Sequence, residues 1–203
     1  MDRTPYHAVL LTCPAFAAAQ VLSISAPELS AGLASIQHVS TATVNLWYDG
    51  ESFSHPLEGY GFVIPSNQQR GLTAVTWTSS KHHDRAPEHL RLIRGYVGRA
   101  GAEVSEDATD QELLQNVLDE LKRTMGVGDR PKGYRIQRWI KGSPQYTMGH
   151  CETLKKIDES LNQLPGLYLS GASYRGVGIP DCIREADNAV NSMFEYLKEN
   201  APS

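Results

Sequence analysis

Leu167-Tyr168-Leu169-Ser170-Gly171-Ala172-Ser173-Tyr174-Arg175-Gly176-Val177-Gly178-Ile179-Pro180-Asp181-Cys182-Ile183 is the stretch that decides how this chain is read. It predicts a buried strand running into glycine, a loop with two more glycines at one-residue spacing, and the opening of a helix. Glycine lets a backbone come close to a flat or phosphorylated ligand. The first N–H groups of the helix point at such a ligand with partial positive charge. Tight turns also use glycine for steric reasons alone, so a ligand loop and a plain turn both stay open. A complete dinucleotide fingerprint, strand–GxGxxG–helix with an acidic residue about 20 positions later, occurs nowhere in the chain. Neither does a P-loop, a GxSxG elbow or an HExxH motif.

Downstream of this stretch, Ile183, Ala186, Val190, Met193, Phe194 and Leu197 form the apolar stripe of a last helix. Upstream, Pro165-Gly166 turns the chain after a helix over 151–164, with Leu154, Ile157, Leu161 and Leu164 inward. Residues 134–140 predict a short strand. Before it, Thr109-Asp110-Gln111-Glu112 reads as a capping box. Leu113, Leu114, Val117, Leu118, Leu121 and Met125 follow at helical spacing; Lys122 and Arg123 suit the negative end, and Gly126 stops the helix. Earlier still, the apolar period drops to two. Residues 39–48 alternate, with Ala42, Val44, Leu46 and Tyr48 on one face. Residues 59–65 and 71–79 predict a hairpin, and 89–97 a third strand with Leu90, Leu92 and Ile93 as apolar members. Together these predict an antiparallel sheet. Near the N-terminus, residues 8–12 predict a short buried strand, and Pro14 opens a helix over 15–22. The same apolar stretch could pass for a secretory signal, but residues 1–7 have weak basic character and Pro14 interrupts it.

The 203 residues carry Lys+Arg 19 against Asp+Glu 23, for a net charge of -4. That balance suits one or two ordinary globular domains and no nucleic-acid partner, which would call for a basic surplus. No stretch approaches the ~20 apolar residues that span a bilayer. Cys13, Cys151 and Cys182 are few and far apart, which points to a reducing, cytoplasmic compartment. Two further segments could carry chemistry. The stretch 138–150 combines Trp, Pro, Gln, Tyr and glycine, which suits either the lining of a planar ligand or an aromatic core corner. The stretch Lys81-His82-His83-Asp84-Arg85 invites a metal. Neighbours on a strand face opposite ways, however, so His82 and His83 cannot share an ion, and no metal is expected.

Four blocks then fall into a familiar order. They are Gly59-Tyr60-Gly61-Phe62-Val63-Ile64-Pro65; Val75-Thr76-Trp77-Thr78-Ser79-Ser80-Lys81 with Arg85-Ala86-Pro87; Trp139 with Pro144-Gln145-Tyr146 and Gly149-His150; and Gly171 with 176–183. Their order and spacing closely resemble the oxygen-dependent protoporphyrinogen and coproporphyrinogen oxidases, FAD-containing enzymes of haem biosynthesis in the flavin amine oxidase superfamily. The resemblance runs from residue 8 to the end. It implies a mixed α/β (α+β) chain, the C-terminal portion of a flavin amine oxidase-like fold. Residues 1–24 and 138–203 would belong to an FAD domain, and 25–137 to an antiparallel-sheet substrate domain with its helix at 109–125.

The resemblance further implies FAD as cofactor, contacted by Trp139, Gly171, Gly176, Val177, Gly178 and Ile179. It implies a tetrapyrrole substrate near Phe62 and His82, with oxygen as electron acceptor. No catalytic base is identifiable. Relatives commonly have an aromatic residue and Pro where His82 and His83 stand, so the implied pocket is more polar here. The family's N-terminal half, with its GxGxxG loop and membrane-associating segment, has no counterpart in this sequence. The implied partners are therefore that missing half or a second copy, with at most peripheral membrane association. Two alternatives stay open: an amine-oxidising flavoenzyme of the same fold, in which a Gly-Glu pair would usually replace Gly171-Ala172, and a truncated chain without catalysis.

Overall fold

In the computed structural model, which describes residues 6–200, the elements follow in the order β1 (Val9–Leu11), α1 (Ala15–Leu22), α2 (Pro27–Ala34), β2 (His38–Asp49), β3 (Gly61–Val63) and β4 (Leu72–Trp77). They continue with α3 (Thr78–Lys81), β5 (Leu90–Val97), α4 (Asp110–Met125), β6 (Gly133–Pro144), α5 (His150–Leu161), β7 (Leu167–Leu169) and α6 (Ile179–Asn200). The chain divides into two units, Val39–Ser143 and the residues on either side of it.

The Val39–Ser143 unit is a sheet in the order β3-β4-β5-β2-β6. Period-two alternation in β2 buries Ala42, Val44, Leu46 and Tyr48, as expected of a strand with one face on a core. Antiparallel pairing sets Leu46 opposite Ile93 and Val75 opposite Gly95. Helix α4 buries Leu113, Val117 and Leu121 in the same core. Its start is a complete capping box: Glu112 N–H donates to Thr109 Oγ1 at 3.2 Å, and Thr109 N–H donates to the Glu112 carboxylate at 2.8 Å. Its end is Gly126 at φ 70, a left-handed stop that glycine adopts without a Cβ penalty. In β5 the buried side chains are Ile93 and Val97, while Leu90 and Leu92 are only half-buried. The register with β2 turns the odd positions 93, 95 and 97 inward. His82 and His83 are not on a strand: His82 links α3 to a 3-10 turn at His83–Arg85 that carries His83, and both are exposed. Among the described residues, no three His, Cys, Asp or Glu side chains cluster as metal ligands would.

The other unit pairs β1 with β7 in parallel, Val9 opposite Leu167 and Leu11 opposite Leu169. Both strands were expected to be buried, yet neither is, and Val9 is 44% exposed. Parallel strands are normally covered on both faces by further layers, and a two-stranded sheet buries little. The core of this unit is helical. Ala15, Ala18, Leu22, Leu29, Leu33 and Ile157 pack together from α1, α2 and α5. The apolar stretch weighed as a signal is thus built into a core, though residues 1–5 lie outside the described residues. Helix α2 at Pro27–Ala34 has no counterpart among the elements expected from the sequence. There Pro27 opens the first turn and Leu29 and Leu33 lie one turn apart. The two units divide at 38 and 143. Helix α6 has no buried residue, with Ile183 and Phe194 more than half exposed. No helix among the described residues is long and apolar enough to cross a membrane.

Candidate functional site

The glycine stretch forms the loop its sequence predicts. Ser170 N–H donates to Leu11 O at 3.1 Å, where β7 ends. Gly171 and Gly176 follow at φ 139 and φ 150. Cys182 N–H donates to Gly178 O at 2.9 Å, closing the first turn of α6. Asp181 folds back on the loop. A Cβ on Gly176 would lie 2.4 Å from Asp181 Cβ, and one on Gly178 would lie 3.0 Å from Asp181 Oδ2. Glycine is therefore required at 176 by backbone angle and by space together. Val177 and Ile179 are 61% and 78% exposed at the mouth of the helix.

Two sets of side chains hold this loop. On its buried side, Ser173 Oγ accepts from Ala15 N–H at 3.0 Å and meets His38 Nε2 at 3.0 Å. His38 Nδ1 lies 2.9 Å from Ile36 O. A carbonyl can only accept, so Nδ1 carries the hydrogen and Nε2 receives the Ser173 hydroxyl proton. On the outer side, Tyr146 Oη donates to Ala172 O at 2.7 Å and accepts from Gly176 N–H at 2.8 Å. Burial raises the Tyr146 phenol above its ordinary value, partly opposed by the Gly176 N–H bond. The Tyr146 ring stacks on His150, centroids 4.1 Å apart and 12° between planes. His150 Nε2, in turn, donates to Tyr174 O at 2.8 Å. Composition marks the segment holding Tyr146 and His150 but not these roles, and no sequence pattern marks His38 or the role of Ser173. The Pro-Gln-Tyr block was the available signal.

The loop fits one part of a flavin better than another. Exposed Val177 and Ile179 offer apolar contact to a ring. The first-turn N–H groups of α6, at Ile179 and Asp181 because Pro180 has none, suit its electron-rich edge. A diphosphate asks for cations, and those nearby are taken. Arg175 pairs with Asp158 at 2.6 Å, and Arg184 with Asp181 at 2.6 Å.

The remaining expected site residues belong to the Val39–Ser143 unit. Trp139 lies on β6, 51% exposed. Two residues on, Lys141 has φ 48, unusual for a residue with a side chain, and its N–H donates to Ser40 Oγ at 3.0 Å. A Cβ on Gly142 would come within 2.9 Å of Trp139 Cβ, so Gly142 lets the strand bend just after the indole. Phe62, half-buried on β3, lines a cavity of about 280 Å³ with His55, Trp77 and Met125. His82 is exposed and does not line that cavity.

Comparison with known proteins gives these observations a frame. The profile of the family described as flavin containing amine oxidoreductase matches residues 2–193. A coproporphyrinogen III oxidase of Bacillus subtilis (strain 168) is 40% identical over 190 residues, 93% of this chain and 40% of that protein. The human protoporphyrinogen oxidase is 32% identical over 193 residues, 92% of this chain and 40% of that protein. A crystal structure from Exiguobacterium sp. 255-15, provisionally assigned as a protoporphyrinogen oxidase, superposes with a TM-score of 0.79 at 35% identity. It covers 94% of this chain and 41% of that one. The chain thus spans about two-fifths of the length of these relatives.

Proposed function

Since the chain belongs to the flavin containing amine oxidoreductases, we propose that it is the C-terminal portion of an FAD-dependent oxidase of protoporphyrinogen IX or coproporphyrinogen III. The observation that carries this reading is the braced glycine loop, which presents Val177, Gly178 and Ile179 at the start of α6. The relatives at 32–40% identity supply the substrate class. Bound FAD supplies hydride acceptance from a saturated macrocycle carbon, two electrons at a time, with oxygen as final acceptor and hydrogen peroxide as product.

The chain's own residues bind and orient. Val177 and Ile179 shield one side of the ring from water, and the α6 N-terminus places partial positive charge at its edge. Gly171 and Gly176 let the backbone turn there. Trp139, in the sheet unit, stays a contact implied by resemblance alone, as do Phe62 and His82 for the tetrapyrrole. The partners proposed are that substrate, oxygen, and either the rest of the longer protein or a second copy. The setting proposed is cytoplasmic, at most peripheral on a membrane.

Because a complete strand–GxGxxG–helix fingerprint occurs nowhere in the sequence, the isolated chain should bind FAD weakly and purify without stoichiometric flavin. The direct test is to express the longest reading frame that includes this sequence and follow porphyrin fluorescence from each porphyrinogen. Oxidation of either supports the reading, and inactivity on both would sink it.

A further inference from the structure

We infer that Tyr146 and His150 are positioning residues that together set the shape of the glycine loop. The inference rests on the flavin reading above only for the identity of what the loop receives.

Three backbone groups at alternate positions are held by these two side chains: Ala172 O, Tyr174 O and Gly176 N–H. One oxygen, Tyr146 Oη, ties the two ends of a five-residue span, donating to one end and accepting from the other. A phenol is suited to this, because it donates one hydrogen and still accepts. The stack with His150 fixes the plane of the Tyr146 ring, and thus where its oxygen points. His150 is itself fixed, since it is the first residue of α5 and its Nε2–H is spent on Tyr174 O. Within the loop, the backbone bond from Tyr174 N–H to Gly171 O is long, at 3.3 Å. Cys182 Sγ reaches Gly176 O at 3.5 Å, a weak contact. The stronger cross-bracing on this side therefore comes from Tyr146 and His150. It acts at Gly176, a residue at φ 150 with many accessible conformations when unfastened. The orientation of Gly176 sets the direction of the amides that follow, at Val177 and Gly178. Pro-Gln-Tyr and Gly-His are in this light parts of one clamp.

Site-resolved amide hydrogen exchange on the chain as it stands tests this. Tyr146→Phe keeps the ring stack and removes the oxygen. Its Gly176 amide should exchange about tenfold faster, the factor expected for losing two neutral hydrogen bonds in a local opening. Amides of α1 and α2, in the same unit, should change less than about twofold. His150→Gln keeps a donor for Tyr174 O but loses the stack, and should raise Gly176 exchange by a smaller factor. FAD titration, read by flavin fluorescence, should show about tenfold weaker binding for Tyr146→Phe than for the parent chain. The clamp is refuted if Gly176 exchange is unchanged in Tyr146→Phe, or if exchange rises equally across α1 and α2. It is also refuted if FAD affinity is unchanged in that variant while the parent binds. If the parent binds no FAD at all, the exchange result alone decides the clamp, and the flavin reading stands or falls on the porphyrinogen assay.

Discussion

Replacing Gly95 by alanine should destabilise the Val39–Ser143 unit, and a second substitution at Val117 should add little to that loss. The new Cβ would lie 2.9 Å from Leu72 Cδ1 and 3.0 Å and 3.3 Å from the two γ carbons of Val117. Carbon pairs prefer about 3.5–4.0 Å, so three contacts are too short. Val117 is fully buried on α4 and, being β-branched, has one favoured rotamer in a helix. The helix must back away from the sheet, or Leu72 must leave its rotamer. Overpacking of this kind costs about 1–3 kcal/mol, less about 0.5–1 kcal/mol gained by removing a strand glycine. The net loss should be about 1–2 kcal/mol. Val117→Ala alone removes two methyl groups from a closed core and should cost about 2 kcal/mol. In the double variant the alanine methyl at 95 fills part of the space vacated at 117. Its loss should be about 1–2 kcal/mol, against about 3–4 kcal/mol if the two effects added. Urea unfolding followed by tryptophan emission is the assay. Trp47, Trp77 and Trp139 all lie in this unit, so the signal reports it alone. Additivity to within about 0.5 kcal/mol would refute the idea that Gly95 exists to let α4 approach the sheet.

Two further outcomes follow from polar contacts. Ser173→Ala leaves the Ala15 N–H and His38 Nε2 without a partner in a buried place, and should cost about 1–3 kcal/mol by far-ultraviolet circular dichroism on urea unfolding. An unchanged midpoint would mean that water takes over both groups. The Asp129 carboxyl is held below its ordinary range by the Ser54 hydroxyl, at 2.6 Å, and by the Ser54 N–H. The folded state thus prefers the carboxylate. The stabilisation is complete above the unfolded value of about 3.9 and is lost as pH falls through the lower folded value. An NMR titration should place the Asp129 midpoint below about 3.9 and raise it part of the way back in Ser54→Ala, which keeps the backbone N–H donor; a midpoint unaffected by that substitution would contradict the assignment.

Elements whose cause is local were legible in the sequence. The Thr109–Glu112 box and Gly126 bound α4 because caps act over three or four residues. Alternation marked β2 because strand side chains point to opposite faces in turn. Helix α2 was not legible. It spans eight residues and includes Gly32, so its own propensity is poor. It is helical because Leu29 and Leu33 find a core with α1 and α5, and Gly32 matters there because a Cβ would lie 3.2 Å from Ile157 Cγ1.

The glycine loop shows the same division within one site. That a loop with positive-φ positions would follow the last strand and precede a long helix was determined by 171–178 alone, since glycine is the residue that adopts such angles freely. What holds it was decided only by tertiary structure. Ser173 meets a backbone amide 158 residues away and a histidine 135 residues away. Tyr146 reaches the loop across 26 and 30 residues. Hydrogen bonds act over about 3 Å in space and carry no trace of sequence separation, so no spacing rule in the chain could have paired them.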